Sequence, residues 1–166
     1  MEESLKEDIE LELDLGREKF EAAMSNHAAR RYRSATSDLY FSLEHFAKAL
    51  LLTAGVEAQS HQGILNLLGR HFIKPGHLPV QVGRWMGSLY ERRITAEYSR
   101  RAGWEFNAEE LATFMEWYGS TAQAILGETA RMAPDLGERI RALSAGVAGA
   151  LRSPGEPMHA SDVQGD

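Results

Sequence analysis

Apolar positions recur along this chain at steps of three and four residues, while period-two alternation is missing and β-branched residues are sparse. That spacing gathers apolar side chains on one face of a helix and gives strands no pattern to follow. A first helix is predicted over residues 4–26, with Ile9, Leu13, Phe20 and Met24 facing inward. In the second, Tyr32, Ala35, Leu39, Leu43, Phe46 and Leu50 form the stripe, and Gly55 after "LLLTA" supplies the stop. A third helix starts near Ser60 in "SHQGILNLLGRHFIK" and must end by "PGHLP", where two prolines and a glycine interrupt the chain. The fourth covers 79–101. Asn107, with Glu110 three residues on, is a capping-box variant that opens a fifth helix, whose inward face is Leu111, Phe114, Met115, Tyr118, Ala122, Ile125 and Leu126. Asp135 and Glu138 stand in the same relation before a sixth, with Leu136, Ile140, Leu143, Val147 and Leu151 inward. The pattern predicts an all-α, antiparallel bundle of five to six helices. It forms one domain over 1–151, followed by a polar, Pro- and Gly-rich tail over 152–166 that is expected to be disordered.

Composition narrows the class. A chain of 166 residues supports one real hydrophobic core and is too short for two ordinary ones. The absence of cysteine removes disulfide, thiol-nucleophile and cysteine-metal chemistry, and it suits a reducing compartment. The acidic, amphipathic start "MEESLKEDIELELDLG" lacks the basic and apolar regions of a signal peptide. No apolar run approaches the roughly 18 residues of a membrane span. A cytoplasmic protein without membrane association is therefore expected. The net charge of −6 argues against general duplex binding through a uniformly basic surface. Yet fourteen of the eighteen basic residues are arginine, clustered as "RRYR", "ERR" and "SRR", so a local basic surface on an acidic protein stays open. Most of these arginines are expected on solvated helix faces.

One arginine conflicts with the helical pattern. With Arg93 set at zero on the wheel of the fourth helix, Val82 and Met86 fall within about 20° and Leu89 and Ala96 within about 60°. Tyr90 and Glu97 flank it on the other side, and Arg92 points away to the edge. Arg93 is thus centred on the apolar face, where a lone charge would cost several kcal/mol. Glu97, one turn on, is the nearest candidate partner. Three readings follow: Arg93 snorkels to the surface beside Glu97, it forms a structural ion pair between protomers, or it is a guanidinium held in a cleft to bind an anion bidentately.

The order "ALLLTAG", "SHQG", "GRHFIKPG", "LYERRITAEY", across roughly residues 28–127, resembles a HEPN domain, most of all its small stand-alone prokaryotic branch. The resemblance implies a homodimeric helical bundle with Arg93 near the dimer cleft. It also implies a cytoplasmic protein that binds RNA or a nucleotide, working with a nucleotidyltransferase partner in a toxin–antitoxin-like system. Many members are metal-independent ribonucleases whose motif is an arginine followed, after four to six residues, by a histidine. Arg93 matches the arginine. Five places on stands Tyr98, and no histidine lies between His77 and His159. A tyrosine with a pKa near 10 is a poor base at neutral pH, whereas histidine titrates in the useful range. The acid–base half of such a site is therefore unassigned, and whether the chain is an enzyme stays open. Arg70 to His77 and Arg152 to His159 meet the spacing formally, as chance allows with fourteen arginines and six histidines.

The resulting expectations are Arg93 and Tyr98 for any catalysis, and Arg93, Glu97 and His61 for ligand binding, with neither metal nor cofactor. For His61 in "SHQG", loop capping or packing is the simpler role, and for His45 an interhelical hydrogen bond. His71 and His77 have no metal-ligand spacing. Trp85, Trp104 and Trp117 read as core or interface anchors. The alternative to ligand binding is a non-catalytic dimeric module that holds a protein partner. A ribonuclease with a non-standard base ranks third.

Overall fold

The computed structural model describes residues 1–98 and 107–153, without the side chains of 96–98. The expected end of the fourth helix at Arg101, Trp104 and its loop, the side chains of Glu97 and Tyr98, and the tail beyond Ser153 lie outside the described residues. Among the described residues six α-helices run in order: α1 (Glu3–Ala28), α2 (Tyr32–Thr53), α3 (His61–Leu68), α4 (Val80–Tyr98), α5 (Ala108–Met132) and α6 (Gly137–Arg152). Among the described residues there is no strand. The all-α bundle expected from the periodicity is present.

The connections are set by local chemistry. Gly55, at φ 72°, ends α2; its N–H donates to the Leu52 carbonyl and that of Val56 to Leu51, the paired bonds that close a helix around a left-handed residue. Arg30 makes the same closure at the end of α1 with φ 60°, a position that glycine fills at lower cost. Ser60 caps α3, its Oγ accepting the Gly63 N–H at 3.0 Å, and α3 continues as a π-turn over Gly69–Ile73. Asn107 caps α5 by accepting the Glu110 N–H at 2.9 Å. The corresponding expectation for Asp135 is corrected. Pro134 opens a 3₁₀ turn, so α6 begins at Gly137 and no side chain caps it.

α2 is the central element, packing on α1, α3, α4 and α5. Its pairs with α1 descend as the numbering rises: Asp38 with Asn26, Ser42 with Gly16, His45 with Glu12. The two helices are therefore antiparallel. Gly16 permits their close approach, since a Cβ there would lie 2.4 Å from the buried Phe46 ring. The inward faces of α1, α2 and α5 are buried as the spacing requires, except that Tyr32 stays half-buried at the rim. Leu151 of α6 and both described tryptophans, Trp85 and Trp117, are also half-buried. One polar chain crosses the core. Ser42 Oγ donates to the Gly16 carbonyl at 2.7 Å and so must accept from the Tyr118 hydroxyl, 2.8 Å away. Burial pushes the Tyr118 phenol well above its ordinary pKa, which keeps that proton in place.

Candidate functional site

α4 packs on α2, α3 and α5. Val82, Met86 and Leu89 are fully buried, as the wheel requires. Arg93 continues that stripe but is only half-buried, and its guanidinium carbon lies 4.7 Å from the centroid of the Phe41 ring on α2. The charge therefore leaves the apolar stripe by lying along an aromatic face, which attracts a cation and is displaced from bulk water. Arg92 takes a separate course, toward Glu110 at 3.8 Å and over Phe114 at 5.2 Å, tying α4 to α5.

One turn before Arg93, Tyr90 stacks on His61, with ring centroids 3.8 Å apart and planes 8° from parallel. His61 occupies the first position of α3, so the Ser60 cap that starts the helix also aims the imidazole toward α2 and α4. Its Nδ1 hydrogen-bonds the hydroxyl of Tyr40. Tyr40 packs against Tyr90 at 5.5 Å and against Phe41 at 5.8 Å. The Glu44 carboxylate, one turn further along α2, is near enough for its charge to act on the same hydroxyl. Burial, and then the Glu44 carboxylate, push the Tyr40 phenol far above its usual range, so it stays protonated. Burial, and then the positive charge of Arg93, hold His61 below its ordinary value of 6.5. Arg93 is therefore near enough for its field to act on both rings.

Of the residues that sequence reasoning named, Arg93 of α4 and His61 of α3 both meet α2, at Phe41 and Tyr40 respectively. Glu97 and Tyr98 follow Arg93 within α4, but their side chains lie outside the described residues. His45 makes the interhelical bond expected of it, to Glu12 at 2.6 Å. Tyr40, Phe41, Glu44 and Tyr90 were not anticipated. The spacings Tyr40–Glu44 and Tyr90–Arg93 are same-face helical pairs legible in the sequence. What joins them to His61 is the packing of α3 across α2 and α4. Among the described residues no group of three or more His, Asp or Glu side chains could hold a metal ion, and no helix is long and apolar enough to cross a membrane.

A cation on an aromatic face beside a neutral imidazole and two phenols suits a phosphate-bearing group better than a neutral one. The chain is 27% identical over 128 residues to a protein of Methanocaldococcus jannaschii carried under a provisional toxin name, which covers 77% of this chain and 96% of that one. A second protein of that organism with the same kind of name is 31% identical over 98 residues, 59% of this chain and 67% of the relative. A UPF0332 protein of Thermotoga maritima is 31% identical over 81 residues, 49% and 60% of the two chains. The HEPN domain model matches residues 10–117, a stretch that holds Tyr40, His61, Tyr90 and Arg93. That match takes in α2, α3 and α4 together with the surroundings of Arg93, and the chain belongs to the HEPN domain family.

Proposed function

We propose that this chain is a toxin-like HEPN protein that binds RNA or a nucleotide at the face built by α2, α3 and α4. Arg93 is the anion contact, Glu97 orients it, and His61 and Tyr98 are second contacts. A homodimer places two such faces along one cleft, in the cytoplasm, and a nucleotidyltransferase is the regulatory partner. The observation that carries the reading is the Arg93 guanidinium laid over Phe41 beside the His61–Tyr90 stack. A half-buried cation of fixed orientation loses little freedom on meeting a phosphate. The provisional toxin names of the two archaeal relatives support the biological setting.

The test is a titration with short single-stranded RNA and with ATP, read by anisotropy or calorimetry, for wild type and Arg93→Ala. One charge-assisted bond to a phosphate contributes about 1.5–3 kcal/mol, so affinity should fall roughly ten- to hundredfold. Unchanged affinity in the variant would remove the site.

The second reading is a non-catalytic dimeric module that holds a protein partner. The observation in its favour is an open groove of about 700 Å³ between α5 and α6, lined by Met115, Gly119, Ala148 and Leu151 among others. It expects Arg93→Ala to weaken the dimer or lower its melting temperature while ligand affinity stays the same.

A further inference from the structure

His61 and Arg93 stand on different helices but share the same neighbours. The imidazole stacks on Tyr90 at 3.8 Å and bonds the Tyr40 hydroxyl. The guanidinium follows Tyr90 by three residues on the same face of α4 and lies 4.7 Å from the ring of Phe41, the residue after Tyr40. The imidazole is therefore about one turn of α4 from the guanidinium, roughly 5 Å of rise. His61, Tyr90 and Arg93 are each half-buried, so solvent and ligand reach them. We infer that protonation of His61 gates the anion site: a phosphate held by Arg93 stabilises the imidazolium, so ligand and proton bind together and affinity rises as the pH falls. The inference rests on the anion-binding reading above and adds its regulation.

In the empty site the imidazole is kept neutral. Burial, and then the charge of Arg93, hold it below its ordinary value of 6.5. Its place as the first residue of α3 adds the positive end of that helix. A phosphate on Arg93 reverses the second of these causes, because it cancels the guanidinium charge and sets a negative one beside the ring. An opposite charge within about 4–6 Å favours the charged form about tenfold or more. By reciprocity, whatever the ligand adds to the affinity for the proton, the proton adds to the affinity for the ligand.

The other titratable and charged groups around His61 leave this coupling to Arg93. On α2, burial keeps the Tyr40 phenol protonated, and Glu44 lies one turn on with its charge acting on that hydroxyl. On α4, Tyr90 is the stacking partner, and the side chain of Glu97 lies outside the described residues. Glu57, four residues before His61, lines a separate cavity with Asp8, Glu12 and Lys48. Arg70 and His71, in the turn that follows α3, are more than two helical turns away. Of these groups Arg93 is the one whose charge the ligand cancels.

The test uses the full-length protein and an oligouridylate with hydroxyl ends, since a terminal phosphate would itself titrate with a pKa of about 6. Anisotropy titrations from about pH 8 down to about pH 5.5 should show affinity rising about tenfold. Calorimetry in two buffers of different ionisation enthalpy should show a proton taken up on binding. The NMR titration midpoint of the His61 imidazole should move up when the oligouridylate or ATP is bound, a readout that needs no variant. His61→Gln should flatten the pH dependence relative to wild type, with circular dichroism showing the fold retained at each pH. A midpoint unmoved by bound ligand, or an equal pH dependence in His61→Gln, overturns this inference alone. Absence of binding at every pH, with ATP as with RNA, or affinity unchanged in Arg93→Ala, overturns the anion-binding reading along with it.

Discussion

The Ser42 hydroxyl joins three helices through two hydrogen bonds, and its removal has a calculable cost. In Ser42→Ala the Tyr118 hydroxyl, in a side chain with no exposure, loses the oxygen it donates to. A buried donor left unsatisfied costs about 1–3 kcal/mol. The Gly16 carbonyl also loses its Ser42 bond, though it can still accept within α1, so its share is smaller. About 2–3 kcal/mol of destabilisation is expected. Tyr118→Phe removes the donor together with its need. Ser42 still donates to Gly16, the ring still stacks on Phe20 at 5.4 Å, and the loss is about 1 kcal/mol. The double variant then leaves no orphaned donor, so its cost should fall short of the sum of the singles by about 1 kcal/mol or more. Urea unfolding followed by circular dichroism, at one protein concentration so that any dimerisation is held constant, measures all four corners of the cycle. Additive losses would refute the claim that Tyr118 donates to Ser42. They would mean that the phenol finds another acceptor.

Gly16→Ala drives a methyl into the Phe46 ring at 2.4 Å, and the ring is fully buried and hemmed in by the α1–α2 seam. A loss of about 1–3 kcal/mol is expected in the same unfolding assay, and a neutral result would show that the two helices can part. Arg30→Gly relieves a left-handed residue while keeping the backbone closure of α1. It should raise stability by up to about 1 kcal/mol, equivalent to a few degrees in Tm. The folded-state pKa of His61 lies below its unfolded value of 6.5, so the unfolded chain binds the extra proton. Stability should therefore be full above pH 6.5 and fall as acid is added until the folded-state pKa is passed. The difference curve between wild type and His61→Gln isolates this loss, and a difference that does not vary with pH would refute it.

Legibility in the sequence followed the range of the interactions. Helix existence, inward faces, the stop at Gly55 and the start at Asn107 depend on neighbours within about one turn, and periodicity and capping chemistry report such neighbours directly. The Asp135 expectation failed at the same scale because Pro134, one residue earlier, started a tighter turn that the capping pattern ignores. Arg93 was conspicuous because a charge on an apolar stripe breaks the local rule, and sites are where such breaks are expected.

The wheel assigned Arg93 to the apolar face but could not choose between snorkelling, an ion pair and a cleft. The aromatic surface that takes its charge, Phe41, is on another helix. Likewise the sequence contained His61, Tyr40 and Glu44 without relating them. Tyr40 and Glu44 share a helix face at a spacing that any helix enforces, whereas His61 joins them across 21 residues of chain by way of the α2–α3 turn. By itself, then, the sequence determined the helices, their buried faces and the arginine that breaks the pattern. The tertiary structure alone decided which groups surround that arginine, because burial, proton position and charge at the site depend on side chains that only packing brings together.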